Sequence, residues 1–264
     1  MQCFHHADVY HIENKKRKDY NMKRHLTKLF TNKFYIVAIS LLAMTLPMMQ
    51  SCDWDDDNKY YYGWNDDVNG VLPNAIVTVK TAADKTVYLQ LDDSTTLLPT
   101  NMKEHPFNGK EVRAFVRIRE VGDNAAPFTK AVVVNSIDSV LTKPAVATLG
   151  NKDTEVYGND PVEIFKGFPT VCEDNYLTVG LGTVWGVDAK PHFVNLVTGV
   201  NPDDPYEVEL RQNAYGDTKG RFAYTTVAFS LKSLPSTGGK TVKLKVRYKS
   251  FEGEKTVEFD YKTK

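Results

Sequence analysis

From residue 76 onward, apolar and polar side chains alternate along most of the chain. Ile76-Val77-Thr78-Val79 opens the pattern, and over 87–92 Val87, Leu89 and Leu91 alternate with Tyr88, Gln90 and Asp92. A period of two gives a strand one buried and one wet face. Asp92-Asp93-Ser94 reads as a turn, and 95–98 is extended again until Pro99. Over 112–121, Val112, Ala114, Val116 and Ile118 share one face, and Arg113, Phe115, Arg117 and Arg119 share the other. Residues 130–141 form a further strand region, bent near Asn135 and closed by Pro144. No ten-residue stretch here combines a helical period with caps. The pattern predicts a small barrel of the oligonucleotide/oligosaccharide-binding (OB) type over 71–150.

The breaker-rich run 150–160, with Gly150, Asn151, Gly158 and Asn159, predicts a domain junction. Beyond it, strands are expected at 162–165, 176–182, 192–197, 206–211, 222–231, 241–249 and 255–262. That spacing predicts an antiparallel β-sandwich over 161–264, so the fold class is all-β. Turns fall at 201–205 and 236–239, and Asn213 and Asp217 suit a hairpin connection. In the last hairpin, a turn centred on Glu252-Gly253 would pair Arg247 with Glu258, Lys245 with Asp260, Val246 with Phe259 and Leu244 with Tyr261.

Ahead of the strands the pattern changes. Lys23, Arg24, Lys28 and Lys33 precede sixteen mostly apolar residues, 34–49, too short for a spanning helix of roughly twenty. Pro47 breaks the end of the run and the small Ser51 follows, as in a secretory signal. Cys52 comes next, so Met49-Gln50-Ser51-Cys52 resembles a loose lipobox with cleavage between Ser51 and Cys52. Residues 1–51 are thus expected to be a leader, with Met22 the true start and 1–21 an upstream extension. Lipidation of Cys52 would anchor the chain to a membrane. Asp53, Asp55, Asp56 and Asp57 resemble the acidic export tag of surface lipoproteins, which implies the outer face of the outer membrane. Residues 52–70, with Tyr60, Tyr61, Tyr62 and Trp64, are then an acidic and aromatic tether.

Charge and cysteine content narrow the function classes. Over the whole chain 33 basic side chains balance 33 acidic ones; without residues 1–51 there remain 25 basic and 30 acidic, a net charge of −5. A mildly acidic body lacks the basic field of a dedicated nucleic-acid binder, despite the arginines of 113–119. Of three cysteines only Cys172 lies in the body, so no internal disulfide is possible there. The residues suited to chemistry stand apart. His105 and His192 are the only histidines beyond the leader, and no metal or phosphate-loop spacing occurs. Glu207 and Glu209 lie on one strand face together with Arg211, as an ion-paired stripe would. Neither cofactor, metal nor catalytic residue is expected.

Three features together resemble the NigD-like lipoproteins of Bacteroidetes: Ser51-Cys52 followed by 53–57, the His192-x-x-Asn195-Leu196-Val197 strand, and Leu210-Arg211-Gln212-Asn213-Ala214-Tyr215-Gly216-Asp217. Gln212 stands where that family would be expected to carry histidine. The resemblance implies an OB-type barrel followed by a β-sandwich, and an association with bacteriocin gene clusters. The expected function is a non-catalytic, surface-anchored binding or protective module, of which bacteriocin immunity is one form. Its ligand would be a protein or a glycan, met by loops carrying Asn201, Asp203 and Asp204, and Asn213, Tyr215 and Asp217. The alternatives are a structural subunit or adhesin of a surface assembly and, behind it, a carbohydrate-active enzyme.

Overall fold

The computed structural model describes residues 72–122, 125–186 and 190–264. The leader, Ser51, Cys52, the acidic residues 53–57 and the tether lie outside the described residues. Five strands, β1 (Ala75–Thr81), β2 (Val87–Gln90), β3 (Thr96–Pro99), β4 (Val112–Gly122) and β5 (Lys130–Ser139), close into a barrel of order β1-β2-β3-β5-β4. The barrel expectation holds, alternation included. Val77, Val79, Leu89, Leu97, Ala114, Val116 and Val132 fill the interior at 0–1 % exposure, each valine or leucine contributing roughly 1.5–3 kcal/mol. The β4–β5 register shifts twice, and the shift between Arg117 and Ile118 leaves Asn135 as the extra residue of a bulge. Bulges bend a strand, and this one lies at the predicted bend.

The chain leaves the barrel sooner than the polar junction suggests. At buried Val140, whose N–H donates to the Arg113 carbonyl, it crosses into the sandwich. β6 (Leu141–Pro144) runs parallel to β13 (Gly220–Ser230), and β7 (Val146–Ala147) runs parallel to β11 (Phe193–Thr198). The junction expected at 150–160 is instead part of the sandwich. A short helix, α1 (Asp153–Tyr157), is held by Asp153, which accepts from Leu149 N and Thr148 Oγ1 at 2.6 Å each. Asp160 accepts from Ala214 N at 2.7 Å.

The sandwich adds β8 (Glu163–Phe165), β9 (Val171–Glu173), β10 (Tyr176–Gly186), β12 (Glu207–Asn213), β14 (Val242–Ser250) and β15 (Gly253–Tyr261). One sheet has the order β6-β13-β10-β8, with β9 also on β10; the other is β15-β14-β12-β11-β7. Leu177, Val179, Leu181, Leu196, Val208, Leu210, Phe229, Leu244 and Val246 form the shared core. β12 and β13 lie in different sheets, so 213–220 is a crossover and not the expected hairpin connection. The final hairpin pairs two residues away from the expected register: Val246 faces Val257, Lys245 faces Glu258, Leu244 faces Phe259 and Lys243 faces Asp260. A two-residue slip keeps every side chain on its face, so the alternation could not detect it. The turn decides: Ser250 faces Gly253 around Phe251-Glu252, and Gly253 takes φ +120°, which its lack of a side chain permits.

Barrel and sandwich share a polar, buried interface. Arg113 is fully buried; its Nε donates to Thr178 Oγ1 at 3.2 Å and its Nη1 to Thr78 Oγ1 at 3.1 Å. Around it Lys80 pairs with Asp174 at 2.7 Å, Asp93 accepts from Asp174 N, and Glu111 accepts from Tyr176 Oη and Lys232 Nζ. Phe115 packs on Phe168 with ring centroids 5.8 Å apart. The expected wet face of β4 is therefore, in its first half, the seat of the sandwich.

Candidate functional site: the loop end of the sandwich

Strand direction defines two ends of the sandwich. β10 ends at Gly186 opposite Gly220, where β13 begins, and β11 begins at Phe193 opposite Asn213, where β12 ends. These four termini make one end. The loop 199–206 and Asp174, which reaches the barrel through Lys80, make the other. The two predicted contact loops are thus separated: Asn201, Asp203 and Asp204 sit at the barrel end, and Asn213, Tyr215 and Asp217 at the free end. The first group is occupied by its own loop, with Asn201 donating to Glu207 and Asp204 bonded to Lys245 at 2.9 Å.

At the free end the motif residues converge. His192 and Asp217, 25 positions apart, meet at 3.3 Å between Nε2 and Oδ2, both 7 % exposed. Gln212 Nε2 donates to Thr183 Oγ1 at 2.7 Å and to His192 Nδ1 at 3.2 Å. A ring that donates through Nε2 and accepts through Nδ1 has the bonding pattern of neutral imidazole. Trp185 stacks on it at 4.4 Å and 3°. Gly186 lies directly against the Asp217 carboxylate, where any Cβ would collide with Oδ1. Both ring nitrogens are engaged within the protein. The imidazole acts as a clamp that joins the start of β11 to the 213–217 turn. Asn213 Oδ1 accepts from Tyr215 N, Asp217 N donates to the Ala214 carbonyl, and Tyr215 adopts φ +50°. Phe193 and Tyr215 stand outside the clamp, about half exposed, edge to face at 5.6 Å.

A second aromatic group includes Phe222 and Tyr224 of β13. Phe222, Tyr224 and Phe251 are 43 %, 48 % and 46 % exposed, and with Phe165 they form a chain of tilted and edge contacts of 4.8–6.4 Å. Gly182 makes room beneath them, since a Cβ there would lie 2.6–2.7 Å from the Phe222 and Phe165 rings. Periodicity marked β13 as a strand but could not tell that its outer face stays uncovered. Trp185 and Thr183 likewise carry no motif that would reveal their meeting with His192 and Gln212.

The other candidates for chemistry are tied up. Glu209 pairs with Arg211 at 2.9 Å, and Glu207 with Arg247 at 3.1 Å, the ion-paired stripe expected. Burial pushes the Cys172 thiol well above its ordinary value, which keeps it unreactive. A polar cleft of about 210 Å³ on the barrel is lined by Lys80, Tyr88, His105 and Glu111, two of which already bind the sandwich. Among the described residues no group of three or more His, Cys, Asp or Glu could hold a metal, and no helix is long and apolar enough to cross a membrane.

Comparison with known proteins agrees with this architecture. The NigD-like N-terminal OB domain matches residues 76–140, and the NigD-like C-terminal β-sandwich domain matches 145–261. The chain belongs to the NigD-like family. The boundary between the two matches falls at the crossover after Val140. Among solved structures, a Parabacteroides distasonis chain named as toxin-related is 34 % identical; the match covers 71 % of this chain and 92 % of that one, with a TM-score of 0.59. A NigD-like immunity protein from Bacteroides caccae is 18 % identical over 72 % of this chain and 97 % of its own, with a TM-score of 0.51. A Bacteroides fragilis chain named as a lipoprotein is 17 % identical over 72 % and 97 %, with a TM-score of 0.50. The last two likenesses concern fold alone. Among curated proteins none matches.

Proposed function

We propose that this NigD-like chain is a non-catalytic lipoprotein of the outer membrane that acts as a protective module of the bacteriocin-immunity type. Cys52, acylated on its thiol before cleavage behind Ser51, holds it in the leaflet, and Asp53, Asp55, Asp56 and Asp57 direct it to the outer face. Two or three acyl chains, at about 0.8 kcal/mol per buried methylene, hold essentially permanently. The observation that supports the non-catalytic reading is the clamp: His192 is buried, stacked on Trp185 and bonded through both nitrogens to Asp217 and Gln212. The immunity reading draws on the family, and on relatives named for toxins and for immunity. The free-end aromatics Phe193 and Tyr215 are the surface that would meet a partner.

The test combines anchor and phenotype. Metabolic palmitate labelling should mark the wild type and not Cys52→Ala. A strain lacking the gene should become sensitive to bacteriocin from sister strains, with Cys52→Ala failing to restore protection at equal abundance. Equal labelling removes the anchor, and unchanged sensitivity removes the immunity role.

A further inference from the structure

The edge strands of the sandwich are guarded unequally. β15 carries Glu254, Lys255, Glu258 and Asp260 along its length, and β7 is two residues long. Charge and shortness both discourage pairing with another chain. β13 differs. On one side it pairs with β10 over all eleven residues; on the other it meets β6 only over Val227, Ala228, Phe229 and Ser230. Among the described residues nothing pairs with the outer side of 220–226. That stretch carries one charge, Arg221, no proline, and the exposed rings of Phe222 and Tyr224.

We propose that this free edge pairs with the same edge of a second copy of the chain, antiparallel about Ala223. The free edge is seven residues long with Ala223 at its centre, so this register uses all of it. Residues 220 and 226 face each other at the ends, where β6 blocks further pairing. The register is also self-complementary. Phe222 of each copy faces Tyr224 of the other, twice, on the same outer face. Arg221 faces Thr225, so no like charges meet. Aromatic cross-strand pairs are favourable, and such a contact is isologous and closes on itself, giving a dimer and no fibre. The proposal stands apart from the immunity role, since the edge exists whatever the protein protects against.

The test uses residues 58–264, which hold every described strand and both cores in one compact unit. Sedimentation equilibrium between 1 µM and 1 mM, on the order of the range for weak to moderate association, should show a monomer–dimer equilibrium. Phe222→Lys with Tyr224→Lys sets lysine against lysine twice and should weaken dimerisation at least tenfold. Phe222→Lys with Tyr224→Glu sets lysine against glutamate in this register and should restore it. Far-UV circular dichroism and thermal melts of the variants check the fold. A wild type that stays monomeric to 1 mM overturns the proposal. So does a well-folded Lys/Lys variant that dimerises like the wild type, which would place the contact elsewhere.

Discussion

Arg113 shows how much one residue can carry. From the alternation of β4 it belongs to a wet face with Phe115, Arg117 and Arg119, yet its guanidinium is the largest fully buried side chain of the described residues. Burial pulls its pKa below the ordinary arginine value, while the carboxylates of Glu173 and Asp174 act to raise it. Its hydrogen bonds to Thr78 and Thr178 join barrel to sandwich. Arg113→Ala would leave two hydroxyls unpaired and a cavity at the junction, a loss of about 3–5 kcal/mol. Urea denaturation should show that as a lower midpoint. A loss under 1 kcal/mol would mean that the interface does not depend on this group. Gln212 makes the same point in reverse. The family resemblance predicts a histidine there, and the glutamine is buried and donates to His192.

At the scale of elements, β10 and β13 are the informative pair. The glycines of β10 lower its strand propensity, yet Gly180 and Gly182 lie where Pro169 and the rings of Phe165 and Phe222 press onto the sheet. Two effects oppose each other at Gly182→Val. Greater β-propensity favours valine by at most about 1 kcal/mol, whereas overpacking costs about 1–3 kcal/mol. Since the Cβ alone would reach within 2.6 Å of Phe222, overpacking should win. The expected outcome is a lower melting temperature together with altered near-UV dichroism from the displaced rings; a more stable variant would show that they are loosely held. The last hairpin gives the complementary lesson. Its faces were legible from alternation, but its pairing partners were set by the turn at Phe251-Glu252.

At the scale of the molecule, the described residues join two folds, barrel and sandwich. Both modules are free of disulfides, and charged contacts join them, Lys80 to Asp174 and Glu111 to Lys232. Burial works to raise the Glu111 pKa, but hydrogen bonds from Lys232 and Tyr176 outweigh it, and the net shift is downward. A carboxyl depressed in the folded state contributes stability above its unfolded pKa, about 4.3, and loses it as pH falls through that value toward the lower folded one. Docking should therefore loosen below about pH 4. Glu111→Gln should flatten that part of the stability–pH curve and leave neutral stability lower by about 1 kcal/mol or less, because the pair is partly exposed. Denaturation midpoints at pH 7 and pH 3.5 test it, and parallel curves for both proteins would count against the link.

The chain on its own determined the all-β class, the barrel-then-sandwich order, the buried face of nearly every strand and the family. These follow from local periodicity, because a strand's faces depend only on the parity of its positions. Tertiary structure alone decided where the chain crosses between folds, which register the last hairpin takes, that β12 and β13 separate, and that His192, Gln212, Asp217 and Trp185 meet. Those depend on contacts between residues tens of positions apart, where turns, glycine clearances and buried polar partners choose among arrangements that one alternating pattern permits equally.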